Sequence, residues 1–379
     1  MDLKLFFSPV SAELASQETA GNSFCKSIHL NHEKMPDYKS ADIAIIGIEE
    51  NDDQAINPSD VIRQKLYSLK KGTGKYNIVD FGNIRKGIDV SETKLRLQEV
   101  CQYLLEQNTL PVIVGGTHDF DYAQYQAYED MDKLVSLLNV DAFLDMEEGA
   151  DARNNHIQKI LLHDPNYLFN YSHIGYQSYL IDHKSIETLE KLYFEAYRIG
   201  HLRSNMEEME PIIRNADMMS FDIAAIRSGD APGTSRAQPF GLTGEEACQI
   251  CWYAGLNEKL SSVGFYEYDP TCDDLNQKTA SVVATMIWYF IEGFYQRKGE
   301  QSFKSNDYVK YVASMPNDTV NLTFYKSKLS DKWWMEVPYP KGKEQYARNC
   351  IVPCSYKDYE DSTKGEVPER YITTHAKLI

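Results

Sequence analysis

Pro111-Val112-Ile113-Val114-Gly115-Gly116-Thr117-His118-Asp119 is the stretch on which the fold turns. A short apolar run with two β-branched valines and an isoleucine reads as a buried strand, and two glycines then stop it. The first polar groups after the stop are an imidazole and a carboxylate. Outward from it, Ile43–Ile48 and Tyr76–Phe81 read as further strands, with a helix opening at Ser59-Asp60 and running through Ile62, Leu66 and Leu69. A second helix begins near Ser91 and carries Leu95, Leu97, Val100, Cys101, Leu104 and Leu105 at helical spacing. Leu137–Asp145, Met218–Asp222 and Ser262–Tyr268 read as strands. Thr243-Gly-Glu-Glu246 is a capping-box helix start, and Thr279–Lys298 is a long helix with a broad apolar face. Strands and helices alternating over this length predict a three-layer αβα architecture around a mostly parallel sheet. In such sheets ligands bind outside the carboxyl ends of the strands, so the residues that end strands are the ones to examine.

The bulk composition excludes several function classes. Lys and Arg total 39 against 56 Asp and Glu, a net charge of −17, which argues against a nucleic-acid partner and against docking on anionic lipid. The most apolar stretch, Ala280–Tyr295, is too short to span a bilayer and carries Glu292. The first residues, MDLKLFFSPVSAE, lack the features of a secretory signal. Seven cysteines without framework spacing fit a reduced, cytoplasmic setting, and Cys248 and Cys251 read as packing residues on one helix.

His118, Asp119, Asp141, Asp145, Asp222, Glu267 and Asp269 all lie at or just past predicted strands. Two readings are open. The acids cap helices and bind loop amides, or several of them converge and need a cation, since clustered carboxylates repel. One imidazole with three or four carboxylates is a hard donor set that suits Mn²⁺ or Mg²⁺.

Five segments in order resemble the motifs of the arginase/agmatinase/formimidoylglutamase (ureohydrolase) family. They are Gly115-Gly-Thr-His-Asp119, Asp141-Ala-Phe-Leu-Asp145, Ser220-Phe-Asp-Ile-Ala224, Asp230-Ala-Pro-Gly-Thr-Ser235 with Phe240-Gly-Leu-Thr243, and Gly264-Phe-Tyr-Glu-Tyr-Asp-Pro270 followed by Asp273. The resemblance covers roughly residues 40–298. The His173-Ile-Gly-Tyr-Gln177 region and the long N-terminal segment are most similar to the formimidoylglutamase-like branch. It implies that Asp141 and Asp222 are the ligands shared by two Mn²⁺ ions in the family, and that His118 and Asp145 complete one of those ions. The positions that would complete the other are Phe143 and Ala224, which carry no ligand. The expectation is one Mn²⁺ held by His118, Asp141, Asp145 and Asp222, or none. Glu267 is expected to hold a cationic amidine or guanidinium. In the loop after Asp145, His156 is the chosen candidate for proton transfer, with His163 second, and Arg153 and Asn154 are candidates for a substrate carboxylate. Arg227 and Arg236 are read as structural.

Three segments follow from this reading: an N-terminal extension over 1–40, the α/β domain over 41–311, and a C-terminal extension over 312–379 with a β-hairpin formed by Val320–Tyr325 and Trp333–Val337. Two functions compete. In the first the chain is a binding scaffold with a reduced, single-ion centre, weakly active or inactive, and the extension with Trp333 and Trp334 contacts a protein partner. In the alternative it is a metal-dependent C–N hydrolase of a small guanidino or formimidoyl compound. The resemblance also implies homo-oligomers, an assembly open to being blocked or altered by the added termini.

Overall fold

The computed structural model describes residues 1–17, 21–49, 56–131, 133–149, 151–300, 306–315 and 321–379. A ten-stranded sheet runs through the main body: β1 (Phe7–Ser8), β2 (His29–Leu30), β3 (Ile43–Ile48), β4 (Ile78–Ile84), β5 (Leu110–Val114), β6 (Val135–Val140), β7 (Leu168–Tyr176), β8 (Glu195–Arg198), β9 (Met218–Asp222) and β10 (Ser262–Tyr266). The spatial order is β1-β4-β3-β5-β10-β9-β6-β7-β8, with β2 also on β4. Every pairing is parallel except β1 with β4. All residues of β3, β4, β5, β6, β9 and β10 are buried. Such strands need helices on both faces, and their sequences read as continuous apolar runs.

The helices supply both faces. They are α1 (Ala12–Ala15), α2 (Pro58–Ser68), α3 (Val90–Glu106), α4 (Asp121–Gln126), α5 (His156–Leu161), α6 (His183–Lys191), α7 (Ile199–Ser204), α8 (Met206–Arg214), α9 (Gly244–Leu256) and α10 (Lys278–Phe294). One core joins α2, α8, α9 and α10 to the sheet. The other joins α3, α4, α5 and α6 to its opposite face. Asn57 caps α2 ahead of Pro58 in the first turn, and the expected Thr243/Glu246 capping box opens α9. Cys248 and Cys251 both lie in α9, and Cys251 is buried in the first core. No helix among the described residues is long and apolar enough to cross a membrane.

The ends of the chain differ in detail from the sequence-based boundaries. The N-terminal segment contributes β1 and β2 to the central sheet, with Phe7 stacked on Phe81 at 4.9 Å. A four-stranded antiparallel sheet of β11 (Tyr308–Ser314), β12 (Asn321–Ser327), β13 (Trp333–Glu336) and β14 (Ile351–Cys354) starts before residue 312, and α11 (Tyr356–Thr363) and α12 (Glu369–Leu378) follow it. β12 and β13 form the expected hairpin, whose expected first residue, Val320, lies outside the described residues. Trp333 and Trp334, offered above as a partner contact, are each only 7% exposed. Trp333 stacks on Tyr359 at 5.0 Å, and the Arg214 guanidinium lies 4.4 Å over Trp334 while donating to the carbonyls of Trp333 and Cys354. Arg348 pairs with Asp217, just before β9, and Lys377 with Asn170 near the start of β7. The C-terminal region therefore packs at the amino ends of β9 and β7.

β5 ends in Gly115 and Gly116, with φ of +87° and +85°. A Cβ on Gly115 would lie 2.7 Å from Ser59 Oγ, the hydroxyl that donates to Val114 O and accepts from Ile48 N. Glycine is required here both for the left-handed turn and for the close approach of α2. Gly115→Ala is expected to lower unfolding free energy by about 1–3 kcal/mol. Urea unfolding with an unchanged midpoint and slope would contradict this.

Candidate metal centre

The strand order places the carboxyl ends of β5, β10, β9 and β6 side by side. His118 follows β5, Glu267 follows β10, Asp222 ends β9, and Asp141 and Asp145 follow β6. Asp145 and Glu267 adopt left-handed backbone conformations, with φ of +46° and +70°. That is uncommon for non-glycine residues and recurs at functional sites. The sequence-predicted strand Leu137–Asp145 stops at Val140, so Asp145 sits on the turn that brings it back over Asp141.

One ligand atom from each of His118, Asp141, Asp145 and Asp222 lies within 4.8 Å of the others. His118 Nδ1 is 3.3 Å from Asp141 Oδ2, 3.4 Å from Asp222 Oδ2 and 3.8 Å from Asp145 Oδ2. His118 Nδ1, Asp141 Oδ2 and Asp222 Oδ2 are buried without a hydrogen-bond partner. A buried polar atom left unpaired costs about 1–3 kcal/mol, so three that converge describe a place for a cation. Three carboxylates and an imidazole fit Mn²⁺.

A second ring of contacts orients these ligands. His118 Nε2 lies 2.8 Å from Ser220 Oγ, and that hydroxyl donates to Asp121 Oδ2 at 3.1 Å. Ser220 has spent its proton on a carboxylate, so His118 must donate from Nε2, and Nδ1 is the ring nitrogen that faces the carboxylates. Asp121 Oδ1 accepts from His156 Nδ1 at 2.7 Å, and His156 Nε2 lies 3.2 Å from Asp145 Oδ2. His173, fully buried, donates from Nε2 to the Asp141 carbonyl at 3.0 Å and accepts at Nδ1 from Tyr171. Glu267 Oε1 accepts from the His118 backbone N–H at 2.8 Å and Oε2 from Arg153 Nη2 at 2.7 Å. Arg236 forks onto Asp145, with 2.9 and 3.3 Å contacts, and its guanidinium lies 3.8 Å from the centre of the Phe143 ring.

Charge in this cluster is strongly redistributed. Burial, with Asp222 and Asp145 nearby, pushes the Asp141 carboxyl well above its ordinary range. Burial opposes a charge on His118, but the facing carboxylates of Asp141 and Asp222 outweigh it and raise its pKa strongly. Burial would also raise Asp145, yet His156 and Arg236 hold it below the usual carboxylate range. His156 is lifted to about 9, Asp121 overcoming the burial that opposes its charge. Burial and Asp222 raise Glu267 to about 7 against the pull of Arg153, and burial, helped by His118 and His156, drives His173 down to about 4, so it is neutral.

Other sequence candidates lie elsewhere. Asp119 pairs with Lys94, Asp269 accepts from Thr271, and Asp273 accepts from the first-turn amides of α10. His163 bonds to Tyr122, and Arg227 pairs with Asp230. Asn154 closes a turn on Asp151. His156 has both ring nitrogens engaged by carboxylates, and Arg153 meets Glu267 rather than open solvent alone. Asp121 and Ser220 were not singled out from sequence as site residues. Their signal is polar side chains at the start of a buried helix and inside a buried strand.

Asp141 and His118 both have raised pKa values, so a cation that binds between them competes with protons. Affinity for Mn²⁺ is therefore expected to rise as pH increases toward those raised values, with protons released on binding. Calorimetry in buffers of different ionisation enthalpy measures the release. A binding enthalpy independent of the buffer would contradict the charge assignment.

Residues 45–292 match the family model described as the arginase family. The formimidoylglutamase of Staphylococcus haemolyticus (strain JCSC1435) is 24% identical over 241 residues, covering 61% of this chain and 77% of the relative. That of Staphylococcus aureus (strain MRSA252) is 25% identical over 243 residues, covering 62% and 78%. Among solved structures, Trypanosoma cruzi formiminoglutamase with Mn²⁺ superposes with a TM-score of 0.60 at 18% identity, over 70% of this chain and 97% of that one. Bacillus subtilis formimidoylglutamase gives 0.60 at 17% identity, over 68% and 88%. At these identities the structural likeness establishes the fold.

Proposed function

This chain belongs to the arginase family, on its formimidoylglutamase-like side, and from that premise we propose that it is a Mn²⁺-dependent hydrolase of a small linear amidine. The observation that carries the reading is the convergence of three unpaired buried atoms, His118 Nδ1, Asp141 Oδ2 and Asp222 Oδ2, beside Asp145. One ion held by these four residues would acidify a water and polarise the amidine. In the overall reaction water adds to the amidine carbon and the C–N bond to the substrate body breaks. A formimidoyl compound gives an amine and formamide, and a guanidino compound gives an amine and urea.

The remaining roles belong to this chain's own side chains. Glu267 is fixed by the His118 N–H and faces a guanidinium already, that of Arg153. A substrate amidinium takes the same place, and Arg153, whose side chain is 39% exposed, swings toward the substrate's tail. His156 holds Asp145 and Asp121 in register, and so acts as a positioning residue. Two guanidinium groups, Arg153 and Arg236, stand at the partly exposed side of the site. They suit an anionic tail better than a cationic one, which favours formimidoyl amino acids over agmatine-like substrates.

Turnover is measured with added Mn²⁺ on formimidoylglutamate, guanidinobutyrate, arginine and agmatine. The expected result is hydrolysis of formimidoylglutamate above the others, reduced at least about a hundredfold in kcat/KM by His118→Ala. Glu267→Gln is expected to raise KM as well as lower kcat. Bound Mn²⁺ with no turnover of any of the four would leave a binding scaffold as the better description.

A further inference from the structure

We propose that the Arg236 guanidinium is itself the second cation of this centre, a resident positive charge that makes the site complete with one divalent ion. The inference rests on the metal-hydrolase reading above and concerns how many ions that site takes.

Three features place Arg236 in this role. Both oxygens of Asp145 face its guanidinium, at 2.9 and 3.3 Å, and the guanidinium carbon lies 3.8 Å from the centre of the Phe143 ring. The backbone is fixed as well, since Arg236 N donates to Thr234 Oγ1 and Arg236 O accepts from Gln238 Nε2. The group is thus presented by a braced loop, with its side chain only 17% exposed.

The second feature is the pairing of the aspartate oxygens. Asp141 Oδ1 accepts from the Phe143 N–H at 3.1 Å, and Asp222 Oδ1 accepts from the Ala224 N–H at 2.6 Å. Only the two Oδ2 atoms remain unpaired, and both face His118 Nδ1. The side chains of Phe143 and Ala224 bring no metal-ligand atom. The free ligand atoms therefore describe one ion position.

The third is the charge balance. With His156 matched by Asp121, Asp141, Asp145 and Asp222 carry three negative charges when ionised, and one divalent ion with one guanidinium carries three positive. A second divalent ion beside a fixed guanidinium would leave the cluster strongly positive in a buried setting, where uncompensated charge is disfavoured. Arg236 is a positioning residue in this account: it neutralises and holds Asp145.

The test counts Mn²⁺ in the full chain by elemental analysis after removal of excess, follows its electron paramagnetic resonance spectrum, and titrates its affinity. Wild type is expected to hold one ion with the spectrum of an isolated Mn²⁺. Arg236→Gln removes the charge, and is expected to bind Mn²⁺ at least about tenfold more tightly or to take a second, spin-coupled ion. Arg236→Lys keeps the charge and is expected to behave as wild type in count. Two ions in wild type would overturn the proposal, as would Arg236→Gln with affinity and count unchanged or weakened. If Arg236→Gln does not fold, Phe143→Leu, which loosens the guanidinium, is read in its place, with tighter binding expected and unchanged binding overturning the proposal. An absence of Mn²⁺ in wild type, Arg236→Gln and Arg236→Lys alike would instead sink the metal reading itself.

Discussion

Three carboxylates gathered at the ends of adjacent buried strands are the constraint to which the rest of this molecule answers. Like charges so close in a medium of low polarity cannot all stay ionised unless positive charge is supplied. The sheet creates the problem, because inserting β10 and β9 between β5 and β6 puts four strand ends in one row. The residues that end those strands then have nowhere to diverge. Every other polar feature of the region, from the His118 tautomer to the position of Arg236, is a response to that concentration of charge.

The response is layered. Nearest the carboxylates stands His118, whose proton placement is dictated by Ser220 and Asp121. Asp121 also anchors His156, which reaches Asp145 from the far side. His173 is kept neutral and serves as a rigid strut under Asp141. His118 and His156 favour the charged form and His173 the neutral one although all three are buried, and the difference comes from the carboxylates that the first two meet. Such a network is high in stakes, since an unmatched member in a buried site is expensive.

Much of the architecture could be read in the sequence, because buried parallel strands leave long apolar runs. Ile43–Ile48 and Met218–Asp222 emerge with the boundaries expected of them. β7 was not anticipated, and the reason is physical: its Asn170, Ser172 and His173 are buried yet polar, so it lacks the apolar signature. Strand ends singled out seven polar residues, and the resemblance to the ureohydrolase motifs narrowed them to the four that the structure brings together. Arg236 was read as structural, since nothing in linear spacing tells that a loop arginine will fold over Phe143 and meet Asp145. The tryptophans of the C-terminal sheet show the converse. Two adjacent aromatics on a hairpin suggest a surface patch, but both strand faces are covered, one by Arg214 and one by Tyr359.

The C-terminal region packs at the amino ends of β9 and β7, where Arg348 and Lys377 tie it to Asp217 and Asn170, while the carboxylate cluster sits at the opposite ends of the strands. The molecule thus has a chemical pole and an architectural pole, separated by the full length of the strands. Elaboration at one pole leaves the other geometrically untouched, so the added sheet can lengthen, shrink or acquire contacts of its own without crowding the entrance to the reactive groups.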